Sequence, residues 1–183
     1  MGLCKTYIQQ LSYNGLKYTK GVAVDLLEKF NIGCEEFPFK DKPEAKDLPK
    51  RDWPGEDGVE VYIPKQVPMK AYEVEVIFIY KGTEATMHTD LKNFIDFLYG
   101  RDKNATGARL AVYDEHVKIG RKDVRVLKVS NDFFYDEDWD DEKMAGFKVT
   151  FEVDDPVTEV TPKYTVKQGE KAIADLEFDT TNG

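Results

Sequence analysis

The stretch AYEVEVIFIYKG, residues 71–82, decides how the rest of the chain is read. Tyr72, Val74, Val76, Phe78 and Tyr80 alternate with Glu73, Glu75, Ile77 and Ile79. A period of two in aromatic and β-branched residues is the pattern of a strand with one face on a core. The second face begins polar and turns apolar at Ile77 and Ile79, so one end of this strand is expected to be covered on both sides. Residues 107–116 (GARLAVYDEH) alternate in the same way, with Arg109, Ala111 and Tyr113 opposed to Leu110, Val112 and Asp114. Residues 117–130 alternate again, with a turn expected near residues 120–123. In GFKVTFEVDDP, residues 146–156, Phe147, Val149, Phe151 and Val153 form an apolar face. Pro156 ends that run, because proline has no N–H to give to a ladder.

One segment departs from this period. Leu91, Phe94, Ile95 and Leu98 fall at i, i+3, i+4 and i+7, and Phe97 and Tyr99 widen the stripe. That spacing predicts an amphipathic helix over about residues 89–99, with Thr89 or Asp90 as N-cap and Gly100 ending it. The N-terminal third holds further strand candidates, and VDLLEKF within it also reads as a short helix turn. Strands, one helix, then more strands predict a mostly β, α+β chain: an antiparallel β-sandwich or split barrel with one flanking helix. Residues 1–156 are expected to form the domain. Residues 157–183 are expected to be a C-terminal extension: an edge strand, an arm or a mobile tail.

Residues 37–58 are dense in proline and charge and read as a long loop. Within DLPKRDWPGEDGVEVYIP, residues 47–64, the prolines and glycines are expected to build a turn that aims a strand over residues 59–63 into the sheet. Trp53 then either caps the core or meets another subunit.

The chain has 183 residues, 41% of them hydrophobic and 13% aromatic, enough for one packed domain. Asp and Glu outnumber Lys and Arg by 35 to 26, for a net charge of -9. An acidic balance argues against nucleic-acid binding, which draws on basic side chains to displace counterions. No apolar run reaches the length of a membrane span. Cys4 and Cys34 show no zinc-ligand spacing; buried thiols are the expectation, with a Cys4–Cys34 disulfide as the alternative.

No motif supplies catalysis or a cofactor site. His88 and His116 are isolated in sequence and read as surface residues in loops. Neither phosphate-loop glycines nor a nucleophile elbow is present. Asp136, Asp138 and Asp140 follow a calcium-loop rhythm, but Asp141 stands where glycine is needed and Phe147 where the closing glutamate is needed. That segment reads instead as an acidic hairpin tip carrying Phe133, Phe134, Tyr135 and Trp139. Interleaved aromatics of this kind suit an intermolecular contact. Trp53 and these four residues are the candidate contacts with a subunit or partner.

The order of motifs resembles the N-terminal domain of the distal tail proteins of long-tailed bacteriophages and prophages. The likeness is carried by WPGEDG (residues 53–58), YEVEVIFIY (72–80), DLKNFIDFLYG (90–100) and FKVTFEVDDP (147–156), and spans most of residues 6–156. Glu56 departs from the basic residue usual in that turn. The resemblance implies a non-enzymatic virion structural protein without cofactor or metal. It further implies a ring, a hexamer in the assembled tail, joining the tail tube to the baseplate or fibre. Its partners would be itself and other tail proteins, with DNA only as cargo through the lumen. Its location would be the virion tail, and the host cytoplasm during assembly. A tail tube or tail terminator protein is the alternative within the class. A small carbohydrate-binding β-sandwich module, using exposed Trp and Tyr rings, is the alternative outside it.

Overall fold

The computed structural model describes residue 3 and residues 5–130, 134–136 and 144–178. The elements run β1 (Thr6–Tyr13), β2 (Tyr18–Lys20), β3 (Val24–Asp25), α1 (Leu26–Phe30), β4 (Ile32–Cys34), β5 (Lys50–Arg51), β6 (Glu60–Val61), β7 (Tyr72–Tyr80) and α2 (Glu84–Leu98). They continue with β8 (Arg109–Asp114), β9 (Ile119–Val129), β10 (Phe134–Asp136), β11 (Met144–Val153), β12 (Val160–Lys167) and β13 (Glu170–Phe178). The architecture is mostly β, as the alternating runs require.

The main sheet has the order β2-β1-β8-β9-β11-β7-β4, and its pairings are antiparallel. β3 pairs with β1 at one margin and β4 with β7 at the other. Only the five-residue α1 separates β3 from β4, so about 8 Å of helix ties the two margins together. The sheet therefore curls around its inner face, yet no ladder among the described residues closes it into a barrel. Asp25 caps α1 by accepting from the Leu27 N–H, and Asn31 ends it in the left-handed conformation at φ 56°.

The inner face holds the main core. The alternation of β7 and β11 places Val74, Val76, Phe78, Phe147, Val149 and Phe151 inside, and α2 plugs the open side with Leu91, Phe94, Phe97 and Leu98. Phe78 meets Phe94 edge-on at 5.2 Å and lies 5.8 Å from Phe147. Each fully buried ring of this kind contributes about 1.5–3 kcal/mol by leaving water. β12 and β13 form a hairpin that packs on the outer face of the sheet, where Val160, Ile173 and Leu176 cover Tyr7, Leu11, Ala111 and Tyr113. β1 and β8 are thus apolar on both faces, which explains why Gln9 and Gln10 within β1 are buried as well.

Several local expectations are corrected. The helix begins at Glu84, five residues before the expected Thr89, with Thr83 as N-cap. Asp90 is no cap; its carboxylate accepts a 2.7 Å hydrogen bond from the Tyr80 hydroxyl and so fastens α2 to β7. Tyr99 is the C-cap rather than part of the stripe, and Gly100 follows it at φ +67°, a conformation glycine adopts without a Cβ clash. The turn between β8 and β9 lies at residues 115–118, not 120–123: Asp114 accepts the His116 N–H, and Lys118 takes the left-handed conformation. Gly120 serves close packing instead, since a Cβ there would meet Val160 of the hairpin at 2.8 Å. Ile77 is 47% exposed, because the outer hairpin covers β1 and β8 rather than β7.

A candidate interaction surface on the β-ribbon

Residues 44–70 leave the body as a two-stranded ribbon. Its root is tied by Lys70 N–H to Glu44 O at 2.7 Å and Lys46 N–H to Pro68 O at 2.8 Å. Further out, Tyr62 N–H donates to Pro49 O, and β5 pairs with β6. Pro49 and Pro64 lack donors and limit the ladder to short pieces. At the tip, Gly55 and Gly58 adopt φ +88° and +78°, which reverses the chain. The expected turn is present. The strand after it is not in the main sheet: β6 covers only Glu60–Val61 and pairs solely with β5. The alternation of VEVYIP looked like a core strand because period two does not distinguish a sheet from a free ribbon.

The ribbon exposes apolar side chains. Tyr62 is 69% exposed, Ile63 68% and Trp53 47%, with Val59 also open to water. The Trp53 indole N–H donates to Glu60 Oε2 at 3.2 Å, and the Arg51 guanidinium lies 5.8 Å from the ring centroid. Both partners belong to the ribbon, so Trp53 does not cap the core. Val59, Tyr62 and Ile63 were not singled out from the sequence. Their signal was there: an apolar run flanked by Pro64 and by charge, with no matching polar face.

The ribbon stands on a rigid foundation. Phe37 is buried against Phe39 at 4.5 Å and Phe151 at 5.1 Å, so the segment expected to be a loop from residue 37 starts inside the core. The buried carboxylate of Asp114 accepts the Phe37 N–H. Both backbone groups of Lys40 are held, its N–H by the Tyr72 hydroxyl at 3.1 Å and its carbonyl by Arg121 Nη2 at 3.3 Å. These polar anchors satisfy backbone groups that the irregular path leaves without a ladder.

Of the other candidates, Phe134 and Tyr135 lie in β10, where their backbones pair with Gly146 and Ala145. Phe133 and Trp139 lie outside the described residues, as do Cys4 and most of the acidic segment with the calcium-loop rhythm. Cys34 is buried, its sulfur 3.4 Å from Thr6 Oγ1. His88 is exposed, on α2 rather than in a loop, and His116 is exposed in the turn before β9. Among the described residues no three His, Cys, Asp or Glu side chains gather as a metal site, and no helix is long and apolar enough to cross a membrane.

One polar cluster gathers charges of both signs around Lys122. Lys122 Nζ reaches the Tyr18 hydroxyl at 2.9 Å, Asp155 at 3.0 Å and Asp123 at 3.1 Å, while Arg109 meets Asp123 at 2.9 Å. Burial works against the lysine's charge, but these partners outweigh it and hold its pKa above the ordinary value. Burial also raises Asp155, yet hydrogen bonds from Thr158 and Lys122 prevail and hold it below the usual carboxylate range. The charges neutralise one another, as in a structural network.

No family model matches the chain, and no curated protein matches it significantly. Among solved structures, the chain is similar to the SPP1 Dit (gp 19.1) protein, described as a paradigm of the hub adsorption apparatus in Gram-positive-infecting phages. The TM-score is 0.47 and the identity 17%, over 86% of this chain and 54% of that one. The chain thus spans about half the length of the protein it matches.

Proposed function

We propose that the chain is a structural component of a phage or prophage tail: the distal tail adaptor, forming a ring between the tail tube and the baseplate or fibre. The observation that carries this reading is the ribbon of residues 44–70, whose Trp53, Val59, Tyr62 and Ile63 are open to water. An exposed apolar arm on a rigid root is an incomplete structure seeking a partner. Head-to-tail contacts made by such arms close into rings when the rotation between copies closes. The ordered run of turn, long strand, helix and Asp-Pro strand supports the same family. The hexameric state and a lumen through which DNA passes as cargo belong to this proposal.

Light scattering and negative-stain microscopy of the full chain test it, alone and mixed with the products of neighbouring genes. Rings are expected, and deletion of residues 47–63 should abolish them while leaving the body folded. A protein that stays monomeric at high concentration and also fails to bind any neighbouring gene product overturns the reading. A ring that stacks on itself into tubes favours the tube protein over the adaptor.

A further inference from the structure

Arg121 is 6% exposed, yet among the described residues no acid pairs with it. Its Nη1 donates to Gly120 O at 3.1 Å and its Nη2 to Lys40 O at 3.3 Å, both neutral acceptors. Its Nε is buried with no hydrogen-bond partner among the described residues. A guanidinium offers five N–H donors and keeps its charge under all ordinary conditions. Burying it among carbonyls alone is costly, and a planar acid is what its fork best accepts. The neighbouring Lys122 has two carboxylates within reach, so the contrast lies within one strand.

Arg121 also lines open space. It forms part of a cleft of about 860 Å³ between the ribbon root and the segment before β12, whose walls include Asp41, Pro43, Met69, Asp155 and Glu159. A smaller cleft of about 210 Å³ reaches the same side chain, again beside Asp41 and Glu159. Asp155 is already engaged, accepting from Lys122 at 3.0 Å, the Thr158 hydroxyl at 2.7 Å and the Val157 N–H at 3.1 Å. Asp41 and Glu159 are exposed, and among the described residues neither forms an ion pair with Arg121. Their negative charge at the rim disfavours multiply charged anions such as phosphate more than a singly charged carboxylate, whose planar shape also matches the guanidinium fork.

We propose that this cleft is a carboxylate-binding site in which the guanidinium of Arg121, whose Nε has no partner among the described residues, takes a carboxylate through its N–H donors. The carboxylate comes either from a free small acid or from an Asp or Glu side chain of a second copy of the chain. The proposal does not depend on the tail reading. The test is the Nε–Hε resonance of Arg121 in labelled full-length protein, titrated with acetate and formate, with chloride and phosphate at matched ionic strength. A saturable shift with acetate and formate but not with chloride or phosphate supports a free acid as ligand. No response to added acid, together with a shift as protein concentration rises, supports the second copy. Arg121→Lys keeps the charge but loses the fork; the accompanying shifts of the Gly120 and Lys122 backbone amides, readable in both proteins, should then need about tenfold more ligand. The wild-type titration stands by itself if that variant does not fold. No shift in either arm overturns the proposal. So does a shift of the resonance in dilute Asp41→Asn or Glu159→Gln without added acid, which would place an internal carboxylate on the fork.

Discussion

Replacing Trp53 with alanine separates a contact residue from a core residue, and Phe37→Ala is the matched control. In the isolated chain Trp53 is held by one exposed hydrogen bond to Glu60 and by the Arg51 guanidinium. A cation–π contact at an exposed site contributes about 0.5–1 kcal/mol. An exposed hydrogen bond adds about 0.5 kcal/mol. Both act within the ribbon, which packs little against the body, so the global Tm should fall by no more than about 2–4 °C. Phe37 is fully buried between Phe39 and Phe151, and a large ring removed from such a site costs about 3–5 kcal/mol. For a chain of this length that is a fall of roughly 10 °C. If Trp53 anchors a neighbouring subunit, its loss should weaken assembly about thirtyfold, the equivalent of ~2 kcal/mol at an interface anchor. Differential scanning calorimetry reads the first effect and sedimentation against concentration the second. A Tm loss for Trp53→Ala as large as that of Phe37→Ala, with assembly unchanged, would refute the reasoning.

Gln10→Leu should cost about 2–3 kcal/mol by chemical denaturation, because Gln10 joins the Phe97 carbonyl and Asp102 at 2.8 Å and accepts the Thr106 N–H at 3.0 Å. Gly107→Ala should destabilise by roughly 1–3 kcal/mol in the same assay, since its Cβ would strike the Leu11 carbonyl, a backbone atom that cannot swing away. Asp155 supplies a pH dependence. Its folded pKa lies below the ordinary value of 3.8, so its stabilisation is present above that value and is lost as pH falls through the folded pKa. Asp155→Asn should therefore lower stability by ~1–2 kcal/mol at neutral pH and flatten the decline below pH ~4. Thermal unfolding across that range checks it, and equal slopes for the two proteins would refute the assignment.

The sequence by itself determined the elements whose pattern is local. The period of two in residues 72–80 and 147–153 fixed the strands and their inward faces, because a pleat leaves alternate side chains no other place. The stripe through Leu91, Phe94 and Leu98 fixed the helix, though not its first turn: residues 84–88 carry little apolar signal, and their start is set by Thr83 and by Tyr80 reaching Thr86 and Asp90. Other features were decided only in three dimensions. Glu60 and Val61 alternate like sheet residues, but whether such a run joins a sheet depends on a free edge within reach, and the ribbon carries them away from it. The last segment looked like a small polar appendage until Val160, Ile173 and Leu176 met the outer apolar faces of β1 and β8. Arg121 is the clearest case. Its letter in the sequence is one basic residue among many, and only the approach of the Lys40 backbone and the ribbon root buries its charge against carbonyls, with no ion pair among the described residues.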